Sequence, residues 1–127
     1  MTAPGVAPVT RLIDQARVDA YARYGKDPNP IHRETAEAYA GPFGRPVAHG
    51  MLVLALVSEA MGDAWGETWA QRGVLKVRWR QPALVPVRVT ARATLRAEAG
   101  GLASYDVVCE GDDGTVLLTG TAAVPTA

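Results

Sequence analysis

The chain has 127 residues, of which 48% are apolar and 20% charged, a composition typical of a folded globular domain. Its 13 basic and 13 acidic residues give a formal net charge of zero, which removes the bulk electrostatic case for binding nucleic acid or an anionic membrane surface. A single cysteine, Cys109, excludes an intrachain disulfide framework and indicates a reducing compartment.

The first ten residues carry neither a positive n-region nor a long apolar stretch, so no secretory signal is visible in them. The longest apolar run, Met51 to Val57, is far shorter than the roughly 20 residues that cross a bilayer. No linker rich in proline, glycine or serine divides the sequence. We therefore expect a single cytoplasmic domain over residues 1–127.

The first half of the chain predicts one strand and three helices. In chain order these are a strand over Val9–Ile13 and helices over Gln15 to about Tyr24, Glu34–Ala40, and His49 or Gly50 to about Trp65. Asp14 can cap the first helix and Gly25 can end it. Between residues 51 and 61 the third helix is apolar nearly all round, which predicts that the rest of the protein encloses it.

The segment between the first two helices, residues 26–33, reads KDPNPIHR and is predicted to be a stiff, non-helical loop. Pro28 and Pro30 each fix φ, and each biases the residue before it, Asp27 or Asn29, towards extended conformations.

The second half changes to a period of two, which is typical of half-buried strands. The predicted strands cover residues 75–80, 87–96, 102–110 and 115–124, with glycine-rich turns before the last two. The economical arrangement is an α+β hotdog domain, an antiparallel sheet curled around the buried third helix. Because such a sheet leaves an edge strand open, pairing of two copies into a homodimer or higher oligomer is expected.

Several residues have a structural interpretation. Cys109 lies in an alternating apolar segment and is predicted to be a packed strand residue. The basic residues that alternate along the strands predict a solvated sheet face, with a site for a phosphate or an acidic carrier as the alternative. Packing is also the expected role of three tryptophans, Trp65, Trp69 and Trp79.

The loop carries the side chains that hydration of an activated double bond requires. One group takes a proton from water while another delivers a proton to the carbon next to the carbonyl, and Asp27 and His32 can share these roles. Asn29 suits orienting a neighbour or a water molecule. The free backbone N–H groups at the start of the third helix can stabilise a developing oxyanion, and Gly50 lets a ligand approach them closely. His49 is expected to cap this helix or to hydrogen-bond within the loop.

Two motifs make a family resemblance specific. The run YGKDPNPIHRETAEA, residues 24–38, resembles the hydratase signature of the MaoC-like family, which includes (R)-specific enoyl-CoA hydratases. The residues that match this signature are Asp27, Asn29, Pro30, Ile31, His32 and Ala38. The run VAHGML, residues 47–52, resembles the segment that opens the central helix in the same family.

The resemblance implies syn addition of water to a trans-2-enoyl thioester, carried on coenzyme A or an acyl carrier protein, without a cofactor. It implies Asp27 and His32 as the catalytic pair, Asn29 as a supporting residue and the Gly50 amide as the oxyanion donor. It also implies that Ser58 occupies the position of a serine found in the site of some family members. One departure lies inside the signature, since the family's glycine before the catalytic Asp is Lys26 here.

The competing interpretations are open at this point. Two histidines and one cysteine make a zinc site improbable, so we expect no metal. A hotdog thioesterase would use a carboxylate on the central helix, for which Glu59 is the candidate. A catalytically silent acyl-binding subunit is the third possibility.

Acyl chain length, carrier and physiological direction are not determined, although residues 62–72 and those around Phe43 are expected to shape the acyl tunnel.

Overall fold

The structure is a computed structural model that describes residues 2–126. A strand is followed by four helices and then by four more strands. The elements are β1 Val9–Ile13, α1 Gln15–Tyr24, a 3-10 turn Pro30–His32, α2 Ala36–Ala40, α3 Gly50–Trp65, α4 Glu67–Arg72, β2 Val74–Trp79, β3 Val87–Ala99, β4 Leu102–Gly111 and β5 Val116–Pro125.

The five strands form one antiparallel sheet in the order β1-β3-β4-β5-β2. Helix α3 packs on this sheet and contacts β1, β3, β4 and β5. The buried apolar side chains of α3 and those on one face of the strands form a single hydrophobic core. The predicted α+β hotdog architecture, a sheet wrapped around a central helix, is confirmed.

The pairing of β2 is the main topological feature that the strand pattern does not contain. Although β2 precedes β3 in the chain, it pairs with β5 at the far edge, with Val74 opposite Ala123 and Trp79 opposite Leu118. A side chain at Gly120 would collide with the backbone of Lys76, so glycine is needed where β5 passes β2. The two ends of the sheet are therefore β1 and β2.

The short helical elements differ from the predicted ones. Helix α2 begins at Ala36 and not at the predicted Glu34. The residue before Ala36, Thr35, is the N-cap, because its hydroxyl accepts a hydrogen bond from Ala38 N (3.2 Å). The loop predicted to be non-helical contains the 3-10 turn. Proline fits the first position of such a turn, because the N–H that it lacks would have no hydrogen-bond partner there. Helix α4 was not predicted.

Helix α3 is less enclosed than its sequence predicts. Val57, Ala60 and Met61 are almost completely buried, but Met51 in the first turn is 53% exposed. The exposed large apolar side chain of α3 is thus at its N-terminus, beside the segment that carries the predicted chemistry.

The interior of the sheet is apolar. Cys109 is buried there, and burial raises the pKa of its thiol to about 12, so the prediction of a packed strand residue is confirmed. Within residues 2–126, no helix has the length and apolar character that a membrane span requires.

Candidate active site

The loop between α1 and α2 begins with a residue in the left-handed conformation. Lys26 has φ 55°, and the next amide, Asp27 N, donates to Ala22 O over 3.0 Å. Glycine adopts this conformation freely, whereas a residue with a Cβ is strained by about 1–2 kcal/mol. The loop thus retains a backbone shape suited to the glycine of the signature, although lysine occupies the position.

Asn29 shapes this loop through its own main chain and side chain. Its Oδ1 atom accepts from Ile31 N (3.2 Å), and its carbonyl oxygen accepts from His32 N (3.1 Å). These bonds set the 3-10 turn that ends at His32. The predicted supporting residue therefore lies in the loop and holds the turn on which His32 sits.

His32 is fixed on both its ring and its main chain. Its Nδ1 atom lies 2.7 Å from Val47 O, and its carbonyl oxygen accepts from Gln15 Nε2 over 2.8 Å. Because a carbonyl oxygen only accepts, the hydrogen of the neutral ring must be on Nδ1. This tautomer leaves the Nε2 lone pair of His32 free to take a proton.

His49 lies directly against both members of the predicted pair. It makes no side-chain cap bond to α3; instead its Nε2 atom is 3.0 Å from Asp27 O and 3.9 Å from Asp27 Oδ2. Its ring stacks on the ring of His32, with centroids 3.7 Å apart and an interplanar angle of 27°. The sequence offered no signal for this stacking, because it depends on how two distant segments meet.

The carboxylate of Asp27 and the two imidazoles offer one ligand atom each within 4.8 Å of one another, a grouping that could in principle hold a metal ion. The ring geometry does not favour this. One nitrogen of each ring is already directed at a carbonyl oxygen, and the remaining lone pairs lie in stacked ring planes only 27° apart, which hinders both from meeting at one ion. The cluster is therefore better suited to proton transfer than to metal binding.

Gly50 is the first residue of α3 and lies beside this cluster, at the end where the earliest N–H groups of a helix have no partner within it. Leu52 N and Val53 N of this turn donate to His49 O over 3.0 and 3.3 Å. The Trp79 indole N–H donates to Gly50 O over 3.0 Å, and a Cβ on Gly50 would lie 2.7 Å from Trp79 Nε1. Glycine is required here by the close approach of the tryptophan. Trp79 is itself 51% exposed, so the packing predicted for it is a contact with Gly50 at the surface and not in the core.

An apolar cavity of about 240 Å³ adjoins His32 and Gly50. Its other lining residues are mostly apolar: Ile31, Phe43, Val47, Ala48, Val53, Trp79, Gln81, Pro82, Ala83 and Leu117. Phe43 lies here as predicted, but no residue of the predicted tunnel segment 62–72 lines the cavity. A ligand in this cavity would contact both the imidazole of His32 and the start of α3.

Ser58 is not brought to this cluster. It lies eight residues after Gly50, about 12 Å along the axis of α3. Its hydroxyl accepts a hydrogen bond from Trp69 Nε1 over 2.9 Å. The structure thus unites Asp27, His32 and Gly50, with Asn29 in support, and places Ser58 in a contact between α3 and α4.

Comparison with known proteins gives consistent results. The sequence profile of the MaoC like domain family matches residues 2–110. An (R)-specific enoyl-CoA hydratase of Aeromonas caviae is 28% identical over 120 residues, 93% of this chain and 90% of that protein. The 3-hydroxyacyl-thioester dehydratase Z of Mycobacterium tuberculosis is 36% identical over 86 residues, 65% of this chain and 56% of that protein.

Among solved structures, the (R)-hydratase from A. caviae involved in PHA biosynthesis superimposes with a TM-score of 0.83 and 25% sequence identity. The match covers 100% of this chain and 98% of the other. Fold and sequence therefore agree over nearly the whole length of both proteins.

Proposed function

The chain belongs to the MaoC-like domain family, and from that premise we propose that it is a hydro-lyase that interconverts 2-enoyl and (R)-3-hydroxyacyl thioesters. One observation carries the proposal: a carboxylate oxygen of Asp27 and a ring nitrogen of His32 lie within 4.8 Å, and His32 lines an apolar cavity together with Gly50. Both named relatives, a hydratase and a dehydratase, catalyse this class of reaction.

Proton transfer is assigned to the loop. Since Val47 O holds the ring hydrogen of His32 on Nδ1, Nε2 is the atom that accepts a proton from water, while the exposed carboxylate of Asp27 orients that water. The hydroxide adds to C3 of the enoyl group, and the proton taken from the water is delivered to C2. Water is added as a whole, so the pair returns to its starting state without a redox cofactor.

The negative charge that develops on the thioester oxygen requires a donor. We assign this role to the Gly50 amide, because N–H groups at the start of a helix are unpaired within it and lie at its positive end. The apolar side chains of the cavity, among them Phe43 and Trp79, would hold the acyl chain. The thioester carrier is coenzyme A or an acyl carrier protein.

A homodimer, working in the cytoplasm, is part of the proposal. The edge strand β2 carries Val74 and Trp79, each more than half exposed, and Met51 of α3 is exposed as well. An edge strand has unpaired backbone N–H and C=O groups and can pair with a strand of another chain, and exposed apolar side chains favour such an association. Association through β2 would cover these side chains close to the cavity.

The test is turnover of crotonyl-CoA, followed by loss of the absorbance of the conjugated thioester. Asp27→Asn and His32→Gln should each lower kcat by about 10²–10⁴-fold, the range for loss of a general acid or base. Asp112→Asn is the matched control, since Asp112 is exposed in the β4–β5 turn. Unchanged turnover in both loop variants would end the proposal, and chiral analysis of the product tests the (R) assignment.

The same assay separates the two alternatives. A thioesterase would release free thiol, but Glu59, its candidate carboxylate, pairs with Arg11 at 2.8 Å and does not line the cavity. A silent acyl-binding subunit would turn over no acyl thioester, although this chain retains both Asp27 and His32. Both observations favour the hydro-lyase.

A further inference from the structure

His49 is buried, at 2% exposure, although its imidazole is a polar and ionisable group. It stands at the N-cap of α3 but makes no side-chain cap bond there. Burial of an imidazole is costly unless its polar atoms are used, so the position calls for an explanation other than helix capping.

One of the two ring nitrogens of His49, Nε2, has a hydrogen-bond partner. Since Asp27 O can only accept, His49 Nε2 must carry the hydrogen of the 3.0 Å contact. The other nitrogen, Nδ1, is buried and has no hydrogen-bond partner. The surroundings thus match one neutral tautomer, with a donor facing the catalytic loop and an unused lone pair in the interior.

The faces of the ring are used as well. One contact is the stack on His32 at 3.7 Å, and the other is a tilted contact with Tyr21 at 4.7 Å between centroids. A single buried ring therefore touches the main chain of Asp27 and the side chain of His32 at once.

We propose that His49 is the positioning residue of the site: its Nε2–H holds the backbone of Asp27 and its ring face holds the imidazole of His32 in register. This inference rests on the function proposed above. His49 would exchange no proton with the substrate. It would instead keep the distance between carboxylate and imidazole constant, and a misplacement of about 1 Å can cost about 100-fold in rate.

Three substitutions separate the hydrogen bond from the ring. His49→Gln keeps an amide N–H at the same number of bonds from Cβ as Nε2, whereas in His49→Asn the amide sits at the position of Nδ1 and cannot reach Asp27 O. His49→Phe keeps a ring and removes the donor. Val57→Ala, in the buried middle of α3, is the control for a loss of stability that leaves the loop untouched.

With crotonyl-CoA we expect His49→Asn, which loses both contacts, to lower kcat by about 10- to 100-fold with little change in KM. His49→Gln keeps only the hydrogen bond and His49→Phe keeps only the ring, so the kcat of each should fall between those of His49→Asn and the parent protein, whereas Val57→Ala should retain the turnover of the parent. Unchanged kcat in His49→Asn and His49→Phe would overturn the proposal. A kcat in His49→Gln as low as in His49→Asn would overturn the assigned hydrogen bond.

Amide hydrogen exchange tests the inference without activity. In His49→Asn, exchange at Asp27 and His32 should quicken by about three- to tenfold, the effect of losing one hydrogen bond. His49→Gln should restore slow exchange at Asp27, and Val57→Ala should leave exchange at both residues near that of the parent. Equal exchange in all the proteins would overturn the positioning role. If exchange differs between the variants and the parent as expected, but the parent does not hydrate crotonyl-CoA, the proposed function alone is overturned.

Discussion

Gly50 should tolerate alanine only when Trp79 is removed as well. A Cβ on Gly50 would lie 2.7 Å from Trp79 Nε1, so Gly50→Ala must displace the indole and break its 3.0 Å bond to Gly50 O. Overpacking costs about 1–3 kcal/mol and the lost hydrogen bond about 1, against a helix-propensity gain of about 0.5–1. We expect the free energy of unfolding to fall by about 2 kcal/mol.

In a Trp79→Ala background the three atoms nearest to the added Cβ, all of the indole, are absent, and the same substitution should raise the free energy of unfolding by about 0.5–1 kcal/mol. The coupling between the two positions is then about 2–3 kcal/mol. Urea unfolding of the four proteins at one protein concentration measures it. Gly5 is the control, since a Cβ added there would meet no atom within 4 Å, and Gly5→Ala should be additive with Trp79→Ala. A coupling at positions 50 and 79 below about 0.5 kcal/mol would refute the reasoning.

Three further outcomes are expected. Lys26→Gly should raise the free energy of unfolding by about 0.5–1 kcal/mol, because relief of the left-handed strain exceeds the added freedom of the unfolded chain; a decrease in urea unfolding would contradict this. Burial raises the pKa of the Cys109 thiol from 9.0 to about 12, so the unfolded state loses that proton first and stability falls as the pH rises through this window. Cys109→Ala should lose less stability between pH 9.0 and about 12, and an equal loss in urea unfolding would contradict the raised pKa of the thiol. Dialysis against EDTA should leave crotonyl-CoA turnover unchanged, whereas a loss that zinc restores would show that the cluster of Asp27, His32 and His49 binds metal.

The strands and main helices could be predicted because their signals are local. Period-two alternation found β2 to β5, and Asp14, whose side chain accepts from Arg17 N over 2.9 Å, marked the start of α1 as expected. The order of the strands could not be read in this way, because the choice of partner for β2 depends on packing between residues far apart in the chain. Helix α4 is six residues long, too short for a periodic signal.

The proximity of the polar side chains in the loop could also be predicted, but the contacts that support them could not. Asp27, Asn29 and His32 stand within six residues of one another, and the stiffness of the prolines made their proximity expected. The role of His49 depends on a ring stacked on a residue 17 positions earlier in the chain, which no spacing rule encodes. Ser58 shows the converse: helical periodicity placed it on a face of α3, but its hydroxyl is engaged by Trp69 from α4, an element absent from the prediction.

Besides the contacts of the His49 ring, the two motifs meet through backbone atoms of the segment before α3. Val47 N donates to Ile31 O over 3.1 Å, and Val47 O accepts from His32 Nδ1 over 2.7 Å, so one residue holds both the main chain and the ring of the loop. Ala48 N in turn donates to Ala83 O over 2.8 Å, which ties the same segment to the chain beyond β2. Backbone atoms are present whatever the side chain, so these bonds depend on the path of the chain and not on the identities of Ile31 and Val47. The tautomer of His32 is therefore a consequence of how the segment before α3 is laid against the loop.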